Sequence, residues 1–348
     1  MSDINIRTAG SAGRITLTRP KALNALSYEM CLAIDAALKD WAGDANIKLV
    51  VIDAEGEKAF CAGGDIQEMY HTGTQGDYSY GRRFWSDEYR MNARIAEYAK
   101  PIVSFLQGFT MGGGVGVGCH GSHRVVGDSS QIAMPEVGIG LVPDVGGSLM
   151  LALAPGRLGE YLGTTAARMG AGDAVFAGFA DHFIPEGQWP ALIAALEETG
   201  DATLVEAAAA EPPAGQLAAQ LAEISAHFSG DDLAAIKESL TEDGGELAQG
   251  ALKELSRNAP LSMACTMEMI RRLRSGPLTI RTALEMEYRF TRRAMEHGDF
   301  LEGIRALIID KDRSPKWQYA DQKVPASAVS GMLAPLGEKA LRFEEEYQ

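Results

Sequence analysis

Nothing in this sequence provides for a disulfide framework, a zinc cluster or a membrane-spanning helix. Its four cysteines, Cys31, Cys61, Cys119 and Cys265, have no Cys-x-x-Cys spacing, so buried free thiols are expected and no bound metal is. No apolar run approaches the roughly 20 residues that a span requires, because Gly, Pro or a charge interrupts the longest ones. Positive charge is scarce as well, with 32 Lys and Arg against 47 Asp and Glu and a net charge of −15. Phosphate-tracking surfaces need clustered cations, so the balance argues against nucleic acid as a partner, and any anionic ligand must be met locally. The N-terminal segment has neither a secretory apolar core nor the Arg-rich, acid-poor character of a transit peptide, and the expected location is the cytoplasm. Internal repeats are also missing.

What is present is an ordinary globular composition. With 348 residues, 46% of them hydrophobic, the chain can bury a full core in one large domain or two smaller ones. Ile4 to Thr8 and Arg14 to Arg19 read as strands around the turn Gly10-Ser-Ala-Gly13. Ser27 can cap a helix whose apolar stripe is Met30, Ile34, Ala37, Leu38 and Trp41, and Ile47 to Asp53 follows as a buried strand. Further strands are expected at Ile102 to Gln107 and His123 to Gly127, giving an α/β core with parallel strands. From about Glu160 the apolar residues recur at helical spacing and strand signals disappear. Helices are expected near Gln216 to Phe228, Asp231 to Leu240, Leu261 to Leu273 and Thr279 to Met295, after a linker at Glu211-Pro-Pro-Ala-Gly215. The organisation expected is a core over residues 1–200 and a helical region over 201–348.

Chemistry is concentrated in a few segments. Met134-Pro-Glu-Val-Gly-Ile-Gly-Leu-Val-Pro-Asp144 sets Glu136 and Asp144 in a run of apolar residues, glycine and proline. A carboxylate in apolar surroundings is disfavoured as an anion, so it has a partner, a raised pKa or a catalytic task. Glu136 could instead be a helix cap or a surface charge, and Asp144 an N-cap for a helix near Leu149. Glu88 falls on the stripe Phe84, Glu88, Met91, Ile95 and Tyr98, which places a third acid on a buried helix face or at its edge.

Two glycine turns complement these acids. Phe60-Cys-Ala-Gly-Gly-Asp65 can turn its backbone N–H groups toward a ligand, with Asp65 capping a helix through Ile66, Met69 and Tyr70. Thr110-Met-Gly-Gly-Gly-Val-Gly-Val-Gly118 reads as a helix N-terminus able to stabilise an oxyanion. Gly116-Val-Gly-Cys-His-Gly121 also fits G-x-G-x-x-G, the mark of a dinucleotide-binding oxidoreductase, yet it does not come straight off a strand. A Cys119 and His120 thiol–base pair is geometrically poor, since neighbours on a helix point about 100° apart.

Together these segments resemble the crotonase (enoyl-CoA hydratase/isomerase) superfamily. The motifs are Arg19-Pro-Lys-Ala-Leu-Asn-Ala-Leu26, Phe60-Cys-Ala-Gly-Gly-Asp65, Met111-Gly-Gly-Gly114 and Pro135-Glu136, in the family's order and spacing. The resemblance implies a spiral of ββα repeats with a mostly helical C-terminal region. It implies an oxyanion hole from the N–H groups of Ala62 and Gly113, and a coenzyme A channel lined by Arg19, Lys21, Ala22 and the turn Ala62, Gly63, Gly64, Asp65 and Ile66. Hydratases of the family carry two glutamates; Glu136 matches one, whereas Gly116 stands at the other position.

The chain is more similar to the 3-hydroxyisobutyryl-CoA hydrolase branch, through Asp87-Glu-Tyr89, the run from Ala133 to Gly147 and the run from Asp299 to Trp317. That branch implies substrate contacts at Glu88, Gly113, Glu136 and Asp144, and hydrolysis of a short β-hydroxyacyl-CoA thioester in valine catabolism. Glu136 would attack the carbonyl or activate water, Asp144 would orient and assist, and Glu88 would bond the substrate hydroxyl. No cofactor is implied beyond the coenzyme A of the substrate, and a homo-oligomer is possible. The alternatives are a hydratase or isomerase of the same fold and a non-catalytic acyl-CoA binding protein.

Overall fold

The computed structural model describes residues 3–320 and 322–343. The chain forms two compact units, each built from three segments. Residues 1–65, 90–133 and 168–219 make the first, and 66–89, 134–167 and 220–348 the second. The expected division after residue 200 does not describe them, because segments 66–89 and 134–167 fold with the C-terminal helices.

Among the described residues the first unit holds nine strands: β1 (Ile4–Ala9), β2 (Ala12–Leu17), β3 (Leu49–Ala54), β4 (Ala59–Cys61), β5 (Ile102–Leu106), β6 (Phe109–Met111), β7 (His123–Val126), β8 (Gln131–Ala133) and β9 (His182–Phe183). They form a six-stranded sheet in the order β1-β2-β3-β5-β7-β9 and a three-stranded sheet in the order β4-β6-β8. Of the pairings between these strands, β1 with β2 is antiparallel and the others are parallel. Each pair β3/β4, β5/β6 and β7/β8 sends its first strand to the large sheet and its second to the small one, so the chain winds as a spiral.

The strand residues explain the layering. β5 is buried along its whole length, as a parallel strand covered on both faces must be. Alternate residues Leu49, Val51, Val103, Phe105 and Val125 share one core with Trp189, Leu192, Leu196 and Val205 from the helices Trp189–Thr199 and Thr203–Ala208. β9 lies in the region expected to be mostly helical and without strand signals, and its two residues are too few to show alternation. The Ser27 cap forms as expected, accepting from Met30 N at 3.2 Å ahead of the helix Tyr28–Ala42.

The second unit is helical. Its core is built around the helix Pro260–Arg274, whose Thr266 and Ile270 close around Gly163 of the helix Leu158–Thr165 together with Leu151 of the helix Gly147–Leu153. The helix Ile280–His297 starts at Thr279, whose hydroxyl accepts from Thr282 N at 3.2 Å, and buries Ala283, Leu284, Glu287, Tyr288, Thr291 and Ala294 on one face.

Candidate active site

In the first unit the glycine turns are tied into the loop of the first motif. Leu26 N donates to Gly63 O at 2.9 Å and Asp65 N donates to Leu26 O at 2.8 Å. Ala62 N donates to Leu23 O at 3.0 Å, so its N–H is committed and cannot meet a substrate oxygen as expected. Backbone groups alternate along an extended segment, and Leu26 and Gly64 form a parallel bridge. Gly64 therefore turns its N–H away from Leu26, which makes it the donor of this turn in place of Ala62.

Gly113 opens the buried helix Gly113–Gly118, where the first N–H groups have no partner within the helix. A side chain on Gly114 would come within 2.1 Å of Cys61 O, so glycine there lets the second turn abut the end of β4. Gly116 and Gly118 lie inside this helix rather than on a strand-to-helix turn, which removes the dinucleotide fingerprint. Burial pushes the Cys119 thiol up to about 12, so it is no nucleophile beside His120.

The cations expected to meet coenzyme A differ in availability. Arg19 reaches Asp3 at 3.2 Å, Asp65 at 3.1 Å and Ala25 O at 2.8 Å. It is a strut of the loop rather than a free phosphate ligand, and Asp65 is its partner rather than a helix cap. The helix Gln67–Gly73 starts from Ile66 with no side-chain cap. Lys21 and Ala22 sit exposed in the turn Pro20–Ala22.

The second unit collects the acids. Glu88, Glu136 and Asp144 are each only 4% exposed, so neither a surface charge nor a stripe edge describes them. Glu136 begins the 3₁₀ turn Glu136–Ile139, which is held by Leu141 N on Glu136 O at 3.0 Å and Ala259 N on Val137 O at 2.9 Å. Asp144 does not cap a helix with its side chain; its Oδ2 accepts from Tyr89 Oη at 2.6 Å. Glu88 Oε1 and Glu136 Oε2 are buried with no hydrogen-bond partner among the described residues. Such atoms cost about 1–3 kcal/mol each, which marks a place built for something other than stability.

Burial, then the charge of Asp144, raises Glu88 and Glu136 well above the usual carboxylate range. Burial also lifts Asp144 to about 7, against the Tyr89 hydrogen bond that favours its anion. Burial keeps the Tyr89 phenol protonated, with Asp144 adding to the effect, so it serves as a donor. A fourth acid, Glu287, is fully buried and lifted to about 8 by burial, opposed by bonds from Ser148 and Gly146. Sequence reasoning missed Tyr89 as a partner and Glu287 altogether, though Glu287 lies on a helical apolar stripe as Glu88 does. Asp144 and Glu287 can thus take up or give a proton near neutral pH, with the raised acids Glu88 and Glu136 beside Asp144.

Paired strands wound alternately into two sheets, with N–H donors at glycine turns, define a crotonase-type fold. The chain belongs to the enoyl-CoA hydratase/isomerase family, whose model matches residues 12–333. It is 40% identical to the mitochondrial 3-hydroxyisobutyryl-CoA hydrolase of Xenopus tropicalis over 96% of this chain and 89% of that protein. Identity to the chicken (Gallus gallus) mitochondrial 3-hydroxyisobutyryl-CoA hydrolase is 36%, covering 98% of this chain and 91% of that one. A crystal structure described as an enoyl-CoA hydratase from Rhodobacter sphaeroides is 56% identical, with a TM-score of 0.94 over 98% of this chain and 100% of that one. A carnitinyl-CoA dehydratase from Mycobacterium thermoresistibile is 38% identical, with a TM-score of 0.94 over 99% of each chain.

Proposed function

We propose that this protein hydrolyses the thioester of a short β-hydroxyacyl-CoA, 3-hydroxyisobutyryl-CoA first among them. The observation that carries the reading is the buried set Glu88, Glu136 and Asp144, joined by the bare backbone of Gly116 where a hydratase needs its second acid. The names of the curated relatives support the same substrate.

In this reading Gly113 and Gly64 are the N–H donors that the first unit offers a carbonyl oxygen, and such bonds make a carbonyl carbon electrophilic. Glu136 either attacks the thioester carbon, expelling the thiolate to leave a mixed anhydride that water then opens, or takes a proton from water as that water attacks and the C–S bond breaks. Asp144 orients substrate or water and assists the proton transfer to the products. Glu88 bonds the β-hydroxyl, and exposed Lys21 meets phosphate of coenzyme A. The leaving thiolate is stable enough to depart without strong protonation, so the reaction needs no metal or redox cofactor.

Hydration is the second reading, favoured by the description of the 56% identical structure. The test is release of free thiol from a panel of acyl-CoAs, run beside loss of double-bond absorbance from crotonyl-CoA. Thiol release from 3-hydroxyisobutyryl-CoA is expected; loss of the crotonyl chromophore without thiol release would replace hydrolysis with hydration.

A further inference from the structure

The segment that follows Asp144 is strained and clamped. Val145, a β-branched residue only 1% exposed, has φ of 53°, and Gly146 follows at 84°. Two successive left-handed residues of which one is valine persist only where their surroundings over-determine them. Gly147 N closes the turn on Asp144 O at 2.7 Å, which secures only the main chain. A side-chain restraint comes from Glu287. Its Oε2 accepts from Gly146 N at 2.8 Å, and its Oε1 accepts from Ser148 N at 3.1 Å and from the Ser148 hydroxyl.

One turn further along the same helix, Thr291 Oγ1 lies 3.3 Å from the Tyr89 hydroxyl that donates to Asp144. The helix Ile280–His297 thus holds Asp144 from two directions, through its backbone by Glu287 and through its carboxyl by Tyr89 and Thr291. We propose that Glu287 is a positioning residue of the carboxyl site, whose grip on the turn of residues 145–148 sets where the Asp144 carboxyl stands. Each of its two oxygens accepts from a backbone N–H, Oε2 from Gly146 and Oε1 from Ser148, so whichever way an amide is turned its N–H₂ group faces an N–H. This role rests on the thioesterase reading.

The test compares Glu287→Gln, which keeps size and helix propensity but turns an N–H₂ group toward an N–H donor, with Ser148→Ala, which removes only the hydroxyl. Losing a backbone N–H bond while moving Asp144 lowers kcat by about 10- to 100-fold in Glu287→Gln, with KM within about 3-fold and a displaced pH profile. Ser148→Ala gives a smaller loss in the same direction. A ¹³C carboxyl titration of Asp144 shifts in Glu287→Gln whether or not the substrate has been identified. Unchanged kcat and an unchanged titration in both folded variants overturn the proposal. Should the wild-type protein release no thiol, the thioesterase reading falls by itself, and the titration still decides whether Glu287 governs Asp144.

Discussion

The Tyr89 hydroxyl donates to the Asp144 carboxyl at 2.6 Å, and both groups are buried. The phenol stays protonated and can stabilise Asp144 as an anion, its contribution opposing the effect of burial. Tyr89→Phe removes that donor without changing the ring. The expected loss in kcat is about 10- to 100-fold, the cost of a hydrogen bond to a charged group. Because the neutral form of Asp144 is then favoured, the rising limb of the pH–rate profile moves to higher pH. A profile with an unshifted limb would remove Tyr89 from the site.

The acids also make folding stability depend on pH in an unusual direction. Asp144 moves from an unfolded value near 3.8 to about 7 in the fold, so the native state holds more protons than the unfolded chain between those values. Stability from this group is therefore full below the unfolded pKa and is lost as pH rises through about 7. Glu136 and Glu88 shift in the same direction. Asp144→Asn removes the titration, so its unfolding free energy gains on the wild type as pH is raised from 4 to 8. Urea midpoints at several pH values measure this, and a gap independent of pH would contradict buried acids of raised pKa.

Glu136→Gln separates chemistry from folding. An amide is neutral and nearly the same size, so the variant folds at least as well near pH 7, whereas thiol release falls by about 10²- to 10⁴-fold through loss of the reacting carboxylate. With excess wild-type enzyme in ¹⁸O-labelled water, a single turnover reads the route. Attack by Glu136 gives a mixed anhydride, and water that opens it at the Glu136 carboxyl carbon leaves label in the side chain, whereas direct activation of water labels the product alone. Activity of Glu136→Gln within a few-fold of wild type would show that another group reacts.

The parts of the site that sequence foretold are those whose signal is local. Glu136 and Asp144 stand out against apolar neighbours, and Glu88 stands out on a helical stripe. Ser27 precedes its helix by one residue. What stayed hidden depends on chain direction or distant pairing. Whether Ala62 or Gly64 points its N–H outward is settled by the bridge to Leu26, which no composition encodes. Glu287 meets residues about 140 positions earlier, and one acid among 47 does not announce such a partner. The stripe test that singled out Glu88 would have found it. The division into units was hidden for the same reason, since segments far apart in sequence share each core.

A last prediction concerns stability in the first unit. Arg14 on β2 is 4% exposed and sits between Asp53 of β3 and Glu197 of the helix Trp189–Thr199, while Thr16 Oγ1 also donates to Asp53 at 2.7 Å. Arg14→Met keeps the apolar stem but leaves two carboxylates facing one another. Removing one partner of a fully buried ion pair costs about 3–5 kcal/mol; Asp53 and Glu197 retain some solvent contact, which brings the expected loss to about 1–3 kcal/mol. Because that loss comes from repulsion between the remaining acids, it shrinks when salt screens them. Thermal unfolding at low and high ionic strength checks this. A deficit that ignores salt would place Arg14's contribution in the packing of its stem instead, and thiol release below the melting range stays unchanged in either case.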